Sequence, residues 1–253
     1  EIFAHKIRET PWDNITLSSG VNRPQIKRLA KLYKDAKNVV FTWSMGITQH
    51  VHGVENVESI VNLALLRGMI GKKNAGLLPL RGHSNVQGIG SMGVTPELKK
   101  KILFNFEKQM GINVPKSMGL DTIGCLKASY NHKMDFAFLL GGNLFAATPN
   151  SKFSEQAFHN IPFKVFVSTT LNQSHFFGVG EETVILPAAA RDEEKQPTTQ
   201  ESMFNFVRIS DGGIVRLSDV KSEVDIITDI ATGVLGNKKI DFSAFKKHQN
   251  IRK

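Results

Sequence analysis

Apolar and polar positions along the chain alternate between two periods, and the alternation predicts strands interleaved with helices. Residues 38–43 form an apolar, β-rich run that reads as a buried strand. Val57, Ile60, Val61, Ala64 and Leu65 recur at helical spacing, which predicts a helix over 54–67. Before that strand, Ile26, Leu29, Leu32 and Tyr33 make one apolar face of another helix. Asn22 can cap it, Pro24 sits in its first turn, and Gln25 completes a capping box. Thr95-Pro96-Glu97 predicts a further helix start, with Thr95 as the cap. Residues 121–131 and 154–159 read as helices, and 135–140, 163–168 and 183–186 as strands. Residues 203–209 and 214–217 read as a hairpin turning across Asp211-Gly212-Gly213. A last helix spans 222–235, capped by Ser222 and stopped by Gly236. The first twenty residues are polar and irregular.

This order predicts an α/β fold: a doubly wound, mostly parallel sheet flanked by helices, with a small antiparallel hairpin added. Ligands of such sheets bind beyond the carboxyl ends of the strands. Met45-Gly46 and Gly141-Gly142-Asn143 both follow strands, which places them on the same edge. Residues 68–93 hold seven glycines, too many for a core element and too varied in context for a linker. That stretch reads as a long, ordered functional loop. The 253 residues are expected to form one large cofactor-binding domain.

Charge and cysteine usage narrow the function. The net charge of +9 comes partly from lysine runs at 99–101, 238–239 and 246–253. A solvated basic surface, a nucleic-acid partner or an anionic cofactor would each suit it. Only 2 Trp and 2 Tyr are present, and no nucleic-acid-binding motif is found, which argues against nucleic acid. With the single cysteine, Cys125, no internal disulfide and no CxxC metal site can form, which suits a reducing, cytoplasmic compartment. Cys125 reads as a small core residue. No apolar run approaches the roughly 20 residues that a membrane helix needs. The chain begins with Glu1 rather than Met, as a processed or excised piece would.

Two segments carry candidate chemistry. A strand ending in Gly141-Gly142-Asn143 is either a plain tight turn or a phosphate cradle, because glycines let backbone N–H groups approach an anion. Leu78-Pro79-Leu80-Arg81-Gly82-His83-Ser84-Asn85-Val86-Gln87-Gly88 puts a guanidinium beside an imidazole and amides on one glycine-flanked loop, suited to gripping an anion. His50 and His52 have a spacing that a metal could use, although a surface role is the simpler reading. His175, beside Phe176-Phe177, reads as packing, and Asp192-Glu193-Glu194-Lys195 as a solvated loop.

Three stretches together resemble the molybdopterin oxidoreductases, and most closely the alpha subunits of formate dehydrogenases. They are Trp43-Ser44-Met45-Gly46-Ile47-Thr48-Gln49-His50, Asn62-Leu63-Ala64-Leu65-Leu66-Arg67-Gly68 with Ile70-Gly71, and Pro79-Leu80-Arg81-Gly82-His83-Ser84-Asn85-Val86-Gln87-Gly88 with Ser91-Met92-Gly93. Leu140-Gly141-Gly142-Asn143, Ser168-Thr169-Thr170-Leu171-Asn172 and Ile185-Leu186-Pro187 extend the likeness more thinly. The resemblance implies a molybdopterin guanine dinucleotide cofactor with molybdenum or tungsten, in a bis-pterin site. Met45, Gly46, Gln49 and Gly82 would lie near the pterin, and Gly141, Gly142, Asn143 and Thr169 along the nucleotide arm. Arg81 and His83 would be the catalytic pair, with Arg81 orienting a small anionic substrate. His83 stands where the family usually has Gln.

The resemblance also implies a larger parent enzyme. Relatives hold a [4Fe–4S] cluster through four N-terminal cysteines, which this chain does not contain. The metal ligand of relatives has no counterpart at Cys125, so no metal-ligating residue is assigned here. The chain is therefore expected to be an interior piece. Its partners would be the remaining domains of the parent, a small anionic substrate and a redox protein, and alone it would be inactive. Two other readings are a non-catalytic guanine-nucleotide or scaffold module with the same fold, and a nucleic-acid binder.

Overall fold

A computed structural model describes residues 2–98 and 100–251. Lys99, within the first lysine run, and residues 252–253 of the basic tail lie outside the described residues, as does Glu1. The chain forms two compact units, residues 1–84 and 85–253.

In the first unit, helices α1 (Ile2–Glu9) and α2 (Trp12–Ser19) occupy the stretch expected to be irregular. Neither buries a residue, so no burial periodicity marked them in the sequence. Helix α3 (Arg23–Asp35) starts as its capping signals predict: Asn22 Oδ1 accepts from the Gln25 N–H at 3.0 Å, and Gln25 Oε1 accepts from the Asn22 N–H at 3.2 Å. Its apolar face is only partly used, since Leu29 and Leu32 remain exposed. The Tyr33 hydroxyl donates to the Leu63 carbonyl at 2.6 Å. Arg67 donates to the carbonyls of Tyr33 and Ala36 and lies over the Tyr33 ring. These contacts tie α3 to helix α5 (Gly53–Leu66), which follows strand β1 (Val40–Trp43) and the short helix α4 (Met45–Thr48). Strand β2 (Gly76–Pro79) pairs in parallel with β1, from Val40 opposite Gly76 to Trp43 opposite Pro79.

The glycine-rich stretch is therefore not one loop. It contains β2 and, in the second unit, helix α6 (Val86–Ser91). Glycines at 68, 71, 76 and 93 have positive φ and serve as turns around these short elements. Thr95 does not cap a helix. Its hydroxyl donates to the Glu97 carbonyl at 2.8 Å, and the next described helix is α7 (Lys100–Met110).

The second unit is built on a parallel sheet of β3 (Phe136–Leu140), β4 (Phe163–Ser168) and β5 (Glu182–Pro187), in that spatial order. Helix α8 (Thr122–Tyr130), capped by Asp121, precedes β3; α9 (Leu144–Ala147) and α10 (Ser151–His159) follow it; α11 (Ser174–Phe177) follows β4. Helix α12 (Glu223–Leu235) starts at Ser222 and ends at Gly236, as expected. Strand β4 is buried on both sides, which explains its mostly apolar sequence, interrupted by the buried Lys164. Phe166 packs with Leu126 of α8 and Ala157 and Phe158 of α10. Val165 and Val167 pack with Ala188 and Ile226 of α12. Helices thus cover both faces, as the α/β expectation requires. The parallel strands are shared between this sheet and the β1–β2 pair.

The antiparallel addition exists, but its turn is displaced. Strands β6 (Thr198–Glu201) and β7 (Val207–Ser210) pair with Thr198 opposite Ser210. The chain reverses at 202–206, where Ser202 N–H donates to the Phe206 carbonyl at 2.8 Å and Asn205 takes φ of 63°. Gly212 and Gly213 serve a different need. The Gly213 N–H donates to the Glu194 carbonyl at 2.6 Å, and side chains at 212 and 213 would overlap the carbonyls of Lys195 and Asp192. They permit close packing of two segments rather than a turn.

Candidate cofactor-binding site

Strand pairing places the first set of candidates. Because β1 and β2 are parallel and in register to Trp43 and Pro79, both chains leave the sheet on the same edge. The Leu80 N–H extends the ladder by donating to the Trp43 carbonyl at 2.8 Å. Met45, Gly46 and Gln49 follow β1, while Arg81, Gly82 and His83 follow β2. The two groups meet: a Cβ on Gly82 would lie 3.6 Å from Met45 Cε. Gln49 Nε2 reaches Met45 Sδ at 3.6 Å. Arg81, Gly82, His83, Met45, Gly46 and Gln49 are all exposed. The turn beneath them is held by Gly53, where any side chain would overlap the Thr48 carbonyl, and by Asn56 Nδ2 donating to the Ile47 carbonyl at 3.3 Å.

The second set lies in the other unit, at the carboxyl ends of β3 and β4. The motif from Pro79 to Gly88 crosses the division between units after Ser84. The candidates expected on one sheet edge therefore sit on the edges of two sheets.

Gly141 and Gly142 have φ of 66° and 74°, a left-handed pair that side chains disfavour. No atom lies within 4 Å of where their Cβ atoms would stand. The Gly141 N–H is used by the Val167 carbonyl at 2.8 Å. The N–H groups of Gly142 and Asn143 make no hydrogen bond among the described residues. Thr169 is exposed beside this turn at the end of β4.

Sequence reasoning passed over what supports the turn. Asn172 Nδ2 donates to the Gly142 carbonyl at 2.9 Å, and Asn172 Oδ1 accepts from the Ser174 N–H at 2.9 Å. The Ser174 hydroxyl donates to Asn143 Oδ1 at 2.9 Å and accepts from the Phe145 N–H at 3.2 Å. Asn143 Nδ2 donates to Gln173 Oε1 at 2.8 Å. The signal was present as Asn172-Gln173-Ser174, since an Asn two residues before a backbone donor is an Asx-turn pattern. A cavity of about 280 Å³ lies at this end of the unit, lined by Thr169, Asn85, Thr199, Glu194 and His248 among others.

The other histidines are differently placed. His50 and His52 are exposed, and His52 Nδ1 lies 3.9 Å from Glu55. No three metal-ligating side chains cluster among the described residues. Cys125 is half-buried, with its Sγ 3.8 Å from the Leu120 carbonyl. No helix among the described residues is long and apolar enough to cross a membrane.

The profile of the molybdopterin oxidoreductase family matches residues 17–232. The chain belongs to the molybdopterin oxidoreductase family. An uncharacterized oxidoreductase of Mycobacterium tuberculosis is 35% identical over 241 residues, covering 92% of this chain and 31% of the relative. Protein YdeP of Escherichia coli is 33% identical over 237 residues, covering 90% and 31%. The F420-dependent formate dehydrogenase subunit alpha of Methanocaldococcus jannaschii is 32% identical over 181 residues, covering 69% and 26%. The chain thus spans about a third or less of these relatives' lengths. Family membership implies a molybdopterin cofactor with molybdenum or tungsten. The left-handed, side-chain-free turn at Gly141-Gly142, with two N–H groups unused among the described residues, has the chemistry to take a phosphate group of such a cofactor.

Proposed function

We propose that this chain is the cofactor-binding part of a molybdenum or tungsten bis-pterin oxidoreductase resembling formate dehydrogenase. The observation that carries the reading is the meeting of Met45 and Gly82 at the ends of paired strands, with Arg81 and His83 on either side of Gly82. Met45, Gly46, Gln49 and Gly82 would hold the pterin region. Gly141, Gly142, Asn143 and Thr169 would hold the guanine dinucleotide arm. When bound, the cofactor supplies a two-electron redox centre.

Arg81 binds and orients a small anionic substrate, its planar fork matching a carboxylate. His83 stands beside it in the chain as a proton donor or acceptor. The substrate, the redox partner and any [4Fe–4S] cluster belong to the parent enzyme in the cytoplasm, and the isolated chain does not turn over.

The test is Arg81→Ala in the full-length protein. Loss of a charge aimed at the transition state lowers turnover by roughly 10²–10³-fold while pterin content stays unchanged. Equal nucleotide binding without turnover in either protein would instead favour a scaffold that has kept the fold.

A further inference from the structure

His175 is 7% exposed, on helix α11, with its ring edge-on to Phe166 at 4.9 Å. Its Nδ1 accepts from the Asn172 N–H at 2.9 Å. An accepting Nδ1 leaves the ring proton on Nε2. That atom is buried and has no hydrogen-bond partner among the described residues. An apolar residue would fill the space without this unpaired polar atom, so packing alone does not explain an imidazole here.

The bond it makes has a clear downstream consequence. Asn172, whose N–H the ring holds, carries the side chain that grips the Gly142 carbonyl. It also aligns Ser174, which bridges to Asn143 and Phe145. We propose that His175 is the positioning residue of the Gly141-Gly142-Asn143 turn: its Nδ1 lone pair fixes Asn172, and Asn172 fixes Gly142. The functional consequence rests on the reading of this turn as the nucleotide-arm site.

A protonated ring cannot accept at Nδ1, so the turn is held by the neutral form alone. Burial lowers the His175 pKa below its ordinary value and keeps the ring neutral. Of the elements packed around it, α9 carries no titratable side chain. Helix α10 offers Lys152, Glu155 and His159, and β4 offers Lys164. None of these is hydrogen-bonded or ion-paired to the ring.

The experiment uses the full-length protein purified without cofactor, in three forms: wild type, His175→Leu and His175→Asn. Asn can present an acceptor near the place of Nδ1 and does not titrate. Hydrogen exchange is followed at the Phe145 and Ala146 amides, and GDP binding is measured on the same samples. His175→Leu should lower protection and GDP affinity by about tenfold or more, the loss of roughly one hydrogen bond to a positioned group. His175→Asn should restore both. Wild type should lose both as the pH is brought below the ordinary histidine value, and His175→Asn should not. Wild-type protection in a folded His175→Leu overturns the proposal. If His175→Leu does not fold, an identical acid-induced loss in wild type and His175→Asn overturns it. If exchange responds as expected but GDP does not bind wild type, His175 still positions the turn and the nucleotide reading fails.

Discussion

The backbone N–H of Leu80 donates to the carbonyl of Trp43 at 2.8 Å, one step beyond the last paired residues of the two strands. That bond carries the parallel register out of the sheet and into the loops. It brings Gly82 beside Met45. A side chain at 82 would start 3.6 Å from Met45 Cε, which is ordinary contact for a methyl, and a branched side chain would reach further into the space that Met45 Cε occupies. Gly82→Ala should therefore be mild. Gly82→Val should displace Met45 and lower turnover of the full-length enzyme by about 10²-fold, the scale of an ångström-sized misplacement. Steady-state kinetics with formate and related small anions, beside pterin content, would check this. Equal rates for both variants would show that the contact does not matter.

Glycines here do two different jobs, and substitution should separate them. Gly142 has φ of 74° and open space around it, so Gly142→Ala pays only backbone strain, about 1–2 kcal/mol. A methyl on Gly213 would overlap the Asp192 carbonyl, a backbone atom that cannot swing away. Gly213→Ala should cost about 3 kcal/mol by forcing segments apart. Urea midpoints of the two variants should fall in that order.

Lys164 gives a pH dependence with a definite sign. Its side chain is fully buried and Nζ donates to the Ile161 carbonyl at 2.5 Å. Burial lowers its pKa from 10.5 to about 8. Between these values the unfolded chain holds the proton and the folded chain does not. Stability from this group therefore rises with pH across that window, and the penalty is greatest below it. Lys164→Met should abolish the rise. Denaturation midpoints at about pH 7.5 and about pH 10 would test it, and an unchanged rise in the variant would assign it to other groups.

The elements most legible in the sequence were those whose ends are written in local chemistry. Asn22 with Gln25, Asp121, and Ser222 with Gly236 mark helix ends through side-chain and backbone bonds between near neighbours. Strand β4 was legible because burial on both faces makes it mostly apolar, with the buried Lys164 as the exception inside the run. Gly212-Gly213 misled because a glycine needed for close approach to Asp192 and Lys195 looks the same as one needed for a turn. Helices α1 and α2 bury nothing, so no burial pattern distinguished them from an irregular stretch. At the site, the glycines and Arg81 stood out as motif residues. The part played by His175 did not, because its value lies in one bond to Asn172 that only the folded turn creates.

The most direct test of the central claim is the metal and pterin content of the full-length protein, purified anaerobically. Mass spectrometry would report the metal, and fluorescence after oxidation would report the pterin. Molybdenum or tungsten with about two pterins per chain is the expected result. A well-folded full-length protein with neither would contradict it, and would leave a scaffold that keeps the fold without the chemistry.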